Sequence, residues 1–161
     1  MFAYSISNGE VGQNAVYARR MPRQGNRPNR RIANAGLLDD GGRRALAERL
    51  IYVGSVHHKR SPGDYGFHPP VNPRPSKSLC DGYKVILRAE AQQLLRAGVL
   101  MGMFSAFEGE DFPKFVWCVD NDEHVYEAKI DRNGYHGYQL GDDDDMRSVV
   151  LKEWRTRCLA D

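Results

Sequence analysis

The 161-residue sequence has few cysteines and no long hydrophobic run. Its three cysteines, Cys80, Cys118 and Cys158, are too few and too widely spaced for a disulfide framework or a CxxC zinc site. No apolar run approaches the roughly 18 residues of a membrane span, and the first residues lack the basic-then-apolar order of a signal peptide. These absences predict a reduced protein that acts in the cytoplasm without a membrane partner. The active end of a larger protein delivered from another cell fits them equally well.

Negative charge is scarce in the first half of the chain. Residues 1–77 hold 13 Lys and Arg against 5 Asp and Glu, whereas residues 78–161 hold 10 against 16. The net charge of +2 therefore hides an excess of eight positive charges followed by an excess of six negative ones. Such a basic half favours a polyanion such as RNA as partner, although attraction between the two halves or to an acidic protein remains an alternative.

Residues 1–45 are predicted to form a largely extended basic arm. Within it, residues 17–31 contain six arginines, two prolines and no acidic residue. A segment of this composition buries too little apolar surface to offset its loss of conformational entropy on folding. We expect residues 46–161 to form one folded domain, for which their length is sufficient.

The pattern of the folded part predicts an α+β domain. An apolar stripe over residues 86–97 predicts a helix ending at Gly98, and residues 142–158 predict a second helix introduced by four aspartates. Short β-branched and aromatic runs predict strands over residues 51–56, 99–107, 115–119, 124–130 and 135–140. The expected fold is an antiparallel sheet of about four to five strands with one or two packed helices.

A long irregular segment, residues 57–81, separates the first strand from the first helix. It contains five prolines, which exclude regular structure, together with three histidines and four Lys or Arg residues. Long loops within compact domains are usually functional or disordered. This composition favours a functional loop.

Three clusters carry residues suited to chemistry at a phosphate. In residues 57–60, imidazole can transfer a proton near neutral pH and the adjacent Lys59 and Arg60 can neutralise phosphate charge. Neighbouring residues on an extended chain point in opposite directions, so we expect His58 rather than His57 to face the site. A solvated basic loop is the alternative.

The second cluster is Arg74, Lys77 and Ser78, whose cations and hydroxyl can bind phosphate oxygens, or which form an ordinary polar loop. The third is His136 between Tyr135 and Tyr138, which offers a second acid or base and a surface for base stacking. A hydrogen-bonded core histidine is the competing interpretation.

Two other constellations remain open. Glu127 and Lys129 have the ExK form of metal-dependent nucleases, although three residues of this form often occur by chance. Cys80 is a candidate thiol nucleophile with His58 or His136 as base and Asp81 or Glu127 as orienting group. The same residues are a candidate zinc site with mixed ligands, although no pair has zinc spacing.

Scattered motifs over residues 50–140 resemble a group of bacterial toxin domains. They are Tyr52, Ser55, His58-Lys59, Gly63 and Gly66; Ala91, Leu94-Leu95, Gly98 and Gly102; Val125-Tyr126-Glu127; and Tyr135-His136-Gly137-Tyr138. This order is similar to that of bacterial polymorphic-toxin ribonuclease domains with the fold of barnase, EndoU, colicin-type tRNases and RelE.

The resemblance implies RNA cleavage by transesterification, with neither a metal nor another cofactor. His58 and His136 would transfer the protons, with Lys59 and Tyr135 beside them, while Arg60, Arg74, Lys77 and Ser78 would bind phosphate. It also implies an immunity or operon protein as a possible partner. The alternatives are a non-catalytic protein of a defence or toxin operon that binds nucleic acid or a partner, and a Cys80-dependent or zinc hydrolase.

Overall fold

A computed structural model gives the fold of residues 29–160, and residues 1–28 and 161 lie outside this description. The elements in chain order are α1 (Asp40–Arg49), α2 (Arg88–Leu100), β1 (Phe115–Val119), β2 (Val125–Asp131), β3 (Gly134–Gln139) and α3 (Asp145–Cys158). Three single 3₁₀ turns precede α2: Ala35–Leu37, Val56–His58 and Pro62–Tyr65. The described helices are all too short or too polar to cross a bilayer.

The fold is α+β, as predicted, and its sheet has three antiparallel strands in the order β1-β2-β3. Beyond each edge the chain adds one isolated bridge, Tyr52 to Tyr135 and Phe104 to Val116. The sequence had predicted full strands at these two places. At the first of them the Val53 and Gly54 amides donate to the Tyr135 carbonyl, and the pairing ends at Gly54, which takes a φ of +77° beside the Tyr65 ring.

The two faces of the sheet pack against different helices. Val116 and Ala128 belong to one core cluster, which includes residues of α1 and α2, while Phe115 and Trp117 belong to another with Met146 and Val150 of α3. This division follows from the alternation of side chains along a strand. The face toward α3 is the one that carries the candidate site.

Helix α2 continues past the glycine at which the sequence predicted its end. A Cβ on Gly98 would lie 2.3 Å from the Trp117 carbonyl oxygen, so this glycine lets the helix approach β1 closely. The helix ends instead at Leu100, just before Gly102, which has a left-handed φ of +72°. Val99 is therefore helical rather than the start of a strand.

Folded structure begins earlier in the chain than the predicted boundary at residue 46. Helix α1 starts at Asp40, and the Ala33 amide donates to the Phe104 carbonyl at 2.8 Å. Arg157 of α3 secures the same segment by donating to the Ala33 and Gly102 carbonyls. Residues 30–45 thus belong to the domain, while residues 1–28 of the predicted arm lie outside the described residues.

Candidate active site

Two histidines from distant parts of the sequence stack against each other on the α3 side of the sheet. The rings of His58 and His136 have centroids 5.4 Å apart and planes 11° apart. We call these two residues the histidine pair. The His58 ring also stacks on Tyr138, with centroids 4.9 Å apart. His136 and Tyr138 share a face because they are two residues apart on β3.

The loop of residues 57–81 is tied to the sheet in a way that fixes His58. His58 Nδ1 lies 2.7 Å from the Ser78 carbonyl oxygen, and the Cys80 amide donates to the His58 carbonyl at 2.8 Å. The Gln139 amide in turn donates to the Leu79 carbonyl at 3.0 Å. These bonds hold the imidazole against β3, where the residue is only 7% exposed.

Positive charge surrounds the pair. Lys129 is opposite His136 in the register of β2 and β3, and the positive charge of Lys77 acts on both imidazoles. Burial, with a contribution from Lys77, holds the pKa of each histidine below 6.5, even though Asp131 acts in the opposite direction on His136. Both imidazoles are therefore mainly neutral at pH 7, and a nearby phosphate would favour their protonation.

A buried carboxylate supports the stack from the neighbouring strand. Glu127 is fully buried and accepts hydrogen bonds from Trp117 Nε1 at 2.8 Å, from Arg30 Nε at 2.6 Å and from the Tyr138 hydroxyl. Arg30 also donates to Asp144 at 2.8 Å. The carboxylate is thus fully engaged by donors, and it fixes the tyrosine on which His58 stacks.

Arg30 belongs to this network although its sequence context is that of the basic arm. Local pattern gives no sign that one of six arginines meets a carboxylate on β2. Glu127 was considered as a metal ligand in an ExK motif. Its bonds to three donors leave that interpretation without support.

The structure does not bring Lys59 or Tyr135 to the histidine pair. Lys59 Nζ is buried 3.1 Å from the Asp81 carboxylate and donates to the Ile86 carbonyl at 3.0 Å. Tyr135 is on the opposite face of the sheet, 1% exposed, with its hydroxyl bonded to the Pro113 carbonyl. Alternation along β3 turns Tyr135 away from His136, whereas Lys59 follows the 3₁₀ turn that contains His58 and is held by Asp81.

The four predicted phosphate-binding residues have different surroundings. Arg74 and Lys77 are exposed and close a turn in which the Lys77 amide donates to the Arg74 carbonyl at 3.0 Å. Ser78 contributes its backbone carbonyl to His58. Arg60 is exposed on the outside of the loop, where its guanidinium donates to the Gly82 carbonyl at 3.0 Å. Lys77 is the one whose charge acts on the histidine pair.

The alternative nucleophile, Cys80, is buried, with 4% of its surface exposed. Burial, and next the nearby Asp81 carboxylate, raise the pKa of its thiol to about 11. A thiol with this pKa is almost entirely protonated at pH 7, whereas reactive cysteines have lowered pKa values. The structure therefore speaks against a Cys80-dependent hydrolase.

Within the part of the chain that the structure describes, the residues predicted as zinc ligands, which include Cys80, do not form a group close enough to share a metal ion. Among residues 29–160, the one group of acidic and histidine side chains close enough to share an ion is Asp120, Asp122 and His124 in the β1–β2 turn. The Asp120 carboxylate already accepts from the Asp122 and His124 amides and from the Tyr126 hydroxyl. These hydrogen bonds of the hairpin turn explain why the three side chains lie close together.

An acidic cavity of about 490 Å³ adjoins one end of the site. Its lining includes Glu108, Glu110, Asp111 and Asp131, with Lys114 as a cation. Carboxylates repel phosphate, whereas Lys77 and Lys129 place positive charge next to the histidine pair.

Comparison of the chain with family models, with curated proteins and with solved structures finds no significant match.

Proposed function

We propose that the protein is a metal-independent endoribonuclease that cleaves RNA by transesterification. The observation that carries the proposal is the stacking of His58 and His136 at 5.4 Å beside Lys77 and Lys129. Two imidazoles can provide the base and the acid that such a reaction needs, and the lysines can stabilise the charge that develops on phosphorus.

In the proposed reaction, one imidazole removes the proton of an RNA 2′-hydroxyl, and the oxygen attacks the adjacent phosphorus. The bond from phosphorus to the 5′-oxygen breaks, and the other imidazole protonates that oxygen. The products are a 2′,3′-cyclic phosphate and a 5′-hydroxyl. DNA lacks the attacking hydroxyl and would not be cleaved.

The resemblance to toxin ribonucleases also implies where the protein would act and which partner it would have. As such a toxin, the chain would act on RNA in the cytoplasm of a bacterial cell, with delivery from another cell and an immunity or operon protein as partner. The sheet has three strands in the described residues, with isolated bridges at Tyr52 and Phe104 beyond its two edges.

The test is cleavage of RNA by the purified full chain in the presence of EDTA. We expect cyclic-phosphate ends, no cleavage of DNA, and a loss of about 10²–10⁴-fold in rate for His58→Ala or His136→Ala. His68→Ala is the matched control, since His68 is an exposed histidine of the same loop, and it should retain the parental rate.

Each competing function gives a different result. Loss of cleavage with EDTA would favour a metal-dependent nuclease or a zinc hydrolase. A chain that binds RNA without cutting it, and whose binding survives both histidine substitutions, would be a non-catalytic binding protein, because phosphate contacts carry most of the affinity.

A further inference from the structure

The two histidines of the pair differ in what their Nδ1 atoms contact. His58 Nδ1 faces the Ser78 carbonyl oxygen at 2.7 Å, whereas His136 Nδ1 is 3.3 Å from Asp131 Oδ2. A carbonyl oxygen only accepts hydrogen bonds, so His58 Nδ1 carries a hydrogen and the lone pair of the neutral ring is on Nε2. The His58 ring is therefore held in the tautomer of a base whose Nε2 accepts a proton.

His136 has the environment of the proton donor. Its Nδ1 is buried, and Asp131 is close to it without forming an aligned hydrogen bond. Asp131 is half exposed, so its carboxylate has room to align, and catalytic hydrogen bonds are often long before substrate binds. The charged groups around His136 are Asp131 and Lys129 from β2 and Lys77 from the loop.

A carboxylate beside one ring favours His136 as the ring that carries the proton of the pair. Besides burial, the charges of His136, Lys77 and His57 lower the pKa of His58, although the hydrogen bond to the Ser78 carbonyl raises it. Asp131, whose Oδ2 is 3.3 Å from His136 Nδ1, favours protonated His136. Two stacked imidazoles disfavour double protonation, so the carboxylate at His136 Nδ1 favours that ring as the holder of the first proton.

Within the proposed ribonuclease function, we propose that His58 is the general base and His136 the general acid, and that Asp131 is the positioning residue that holds His136 for this task. The 2′-hydroxyl proton moves to His58 Nε2 as the O2′–P bond forms. As the P–O5′ bond breaks, His136 Nε2 gives its proton to the 5′-oxygen. Exchange with water then returns both rings to their starting states.

Leaving-group rescue distinguishes the two roles. Nucleoside 3′-(4-nitrophenyl phosphates) expel a nitrophenolate that needs no proton, so they need the base and not the acid. We expect His136→Ala to lose about 10²–10⁴-fold on RNA and to stay within about tenfold of the parent on these esters. His58→Ala should be slow on both, and the opposite pattern would reverse the assignment while leaving the ribonuclease function intact.

Asp131→Asn tests the positioning residue. The amide oxygen can still accept from the Asn133 amide, as Asp131 Oδ1 does at 3.1 Å, so the turn is preserved. We expect the limb of the pH–rate profile that reports the acid to move to lower pH, while cleavage of the activated esters is unchanged. Asp142→Asn, at an exposed carboxylate ahead of α3, is the control and should leave the profile in place.

Nuclear magnetic resonance of ¹⁵N-histidine tests the same assignment without any activity. His58 should be the Nδ1–H tautomer, and the pKa of His136 alone should fall in Asp131→Asn. An Nε2–H tautomer at His58, or an unchanged pKa of His136 in Asp131→Asn, would overturn the inference even if RNA is cleaved. If the parent cleaves neither RNA nor esters, the proposed function fails and the assignment of roles fails with it.

Discussion

At the scale of single residues, the candidate site depends on buried polar groups that satisfy each other. Glu127 is fully buried, and it accepts from Arg30, Trp117 and Tyr138. A buried charge is tolerated only when it is paired and hydrogen-bonded. Because Tyr138 stacks on His58, the same bonds that satisfy Glu127 also hold the histidine pair in place.

The lowered pKa values of the histidine pair make stability depend on pH. Burial holds the folded-state pKa of both rings below 6.5, so the unfolded chain binds more protons when pH falls below that value. Stability from these groups is therefore complete above pH 6.5 and is lost as pH decreases toward the folded-state pKa values. We expect the free energy of unfolding, measured with urea, to fall from pH 7.5 to pH 5.5.

The variant His58→Gln/His136→Gln removes both titrating groups. Their effect is isolated by comparing how the free energy of unfolding of parent and variant changes with pH, rather than its absolute value. The free energy of unfolding of the variant should change less over the same range. Asp81 and Asp120, whose pKa values are held below 3.8 mainly by hydrogen bonds, titrate outside this window. An equal slope in parent and variant would show that the pair does not titrate as described.

At the scale of elements, the close packing of α2 on β1 depends on the absence of a side chain at Gly98. We expect Gly98→Ala to lower the free energy of unfolding by about 2 kcal/mol or more, because the new methyl group would overlap the Trp117 carbonyl. Helix propensity alone predicts a gain. Gly41→Ala in α1 is the control, with only an ordinary contact at 3.7 Å, and it should stabilise by up to about 1 kcal/mol. Thermal or urea unfolding of both variants decides between the two expectations.

Helices α2 and α3 and the three strands of the sheet are predictable because they follow from local periodicity, whereas the strands predicted over residues 51–56 and 99–107 are isolated bridges. The bounds of β1 agree with prediction, those of β2 and β3 differ by one residue at each end, and the irregular loop contains no strand. Gly98 and Lys59 were misjudged because their surroundings come from distant residues: a carbonyl on β1 for the first and Asp81 for the second. The meeting of His58 with His136 likewise depends on how the loop folds back onto β3.

At the scale of the whole molecule, exposed positive and negative charges lie at different places around the histidine pair. Several acidic residues of the second half are paired with arginines, as in the contacts of Arg30 with Glu127 and of Arg157 with Glu153. The exposed Arg74 and Lys77 belong to the loop that carries His58, while the acidic cavity is at the Asp131 end. Under the proposed function, we expect an RNA strand to enter from the side of the loop.

Salt dependence of RNA binding tests this direction. With a single-stranded 2′-O-methyl RNA, which cannot be cut, the slope of log affinity against log salt should weaken by about 1.4 in Arg74→Gln/Lys77→Gln, since each lost phosphate contact removes about 0.7. Arg44→Gln/Arg96→Gln removes the same charge from exposed positions on α1 and α2, the helices that cover the opposite face of the sheet. That variant should keep the parental slope, because its cations do not contact the strand. Equal losses in the two variants would mean that RNA responds to total charge and has no preferred path to the histidine pair.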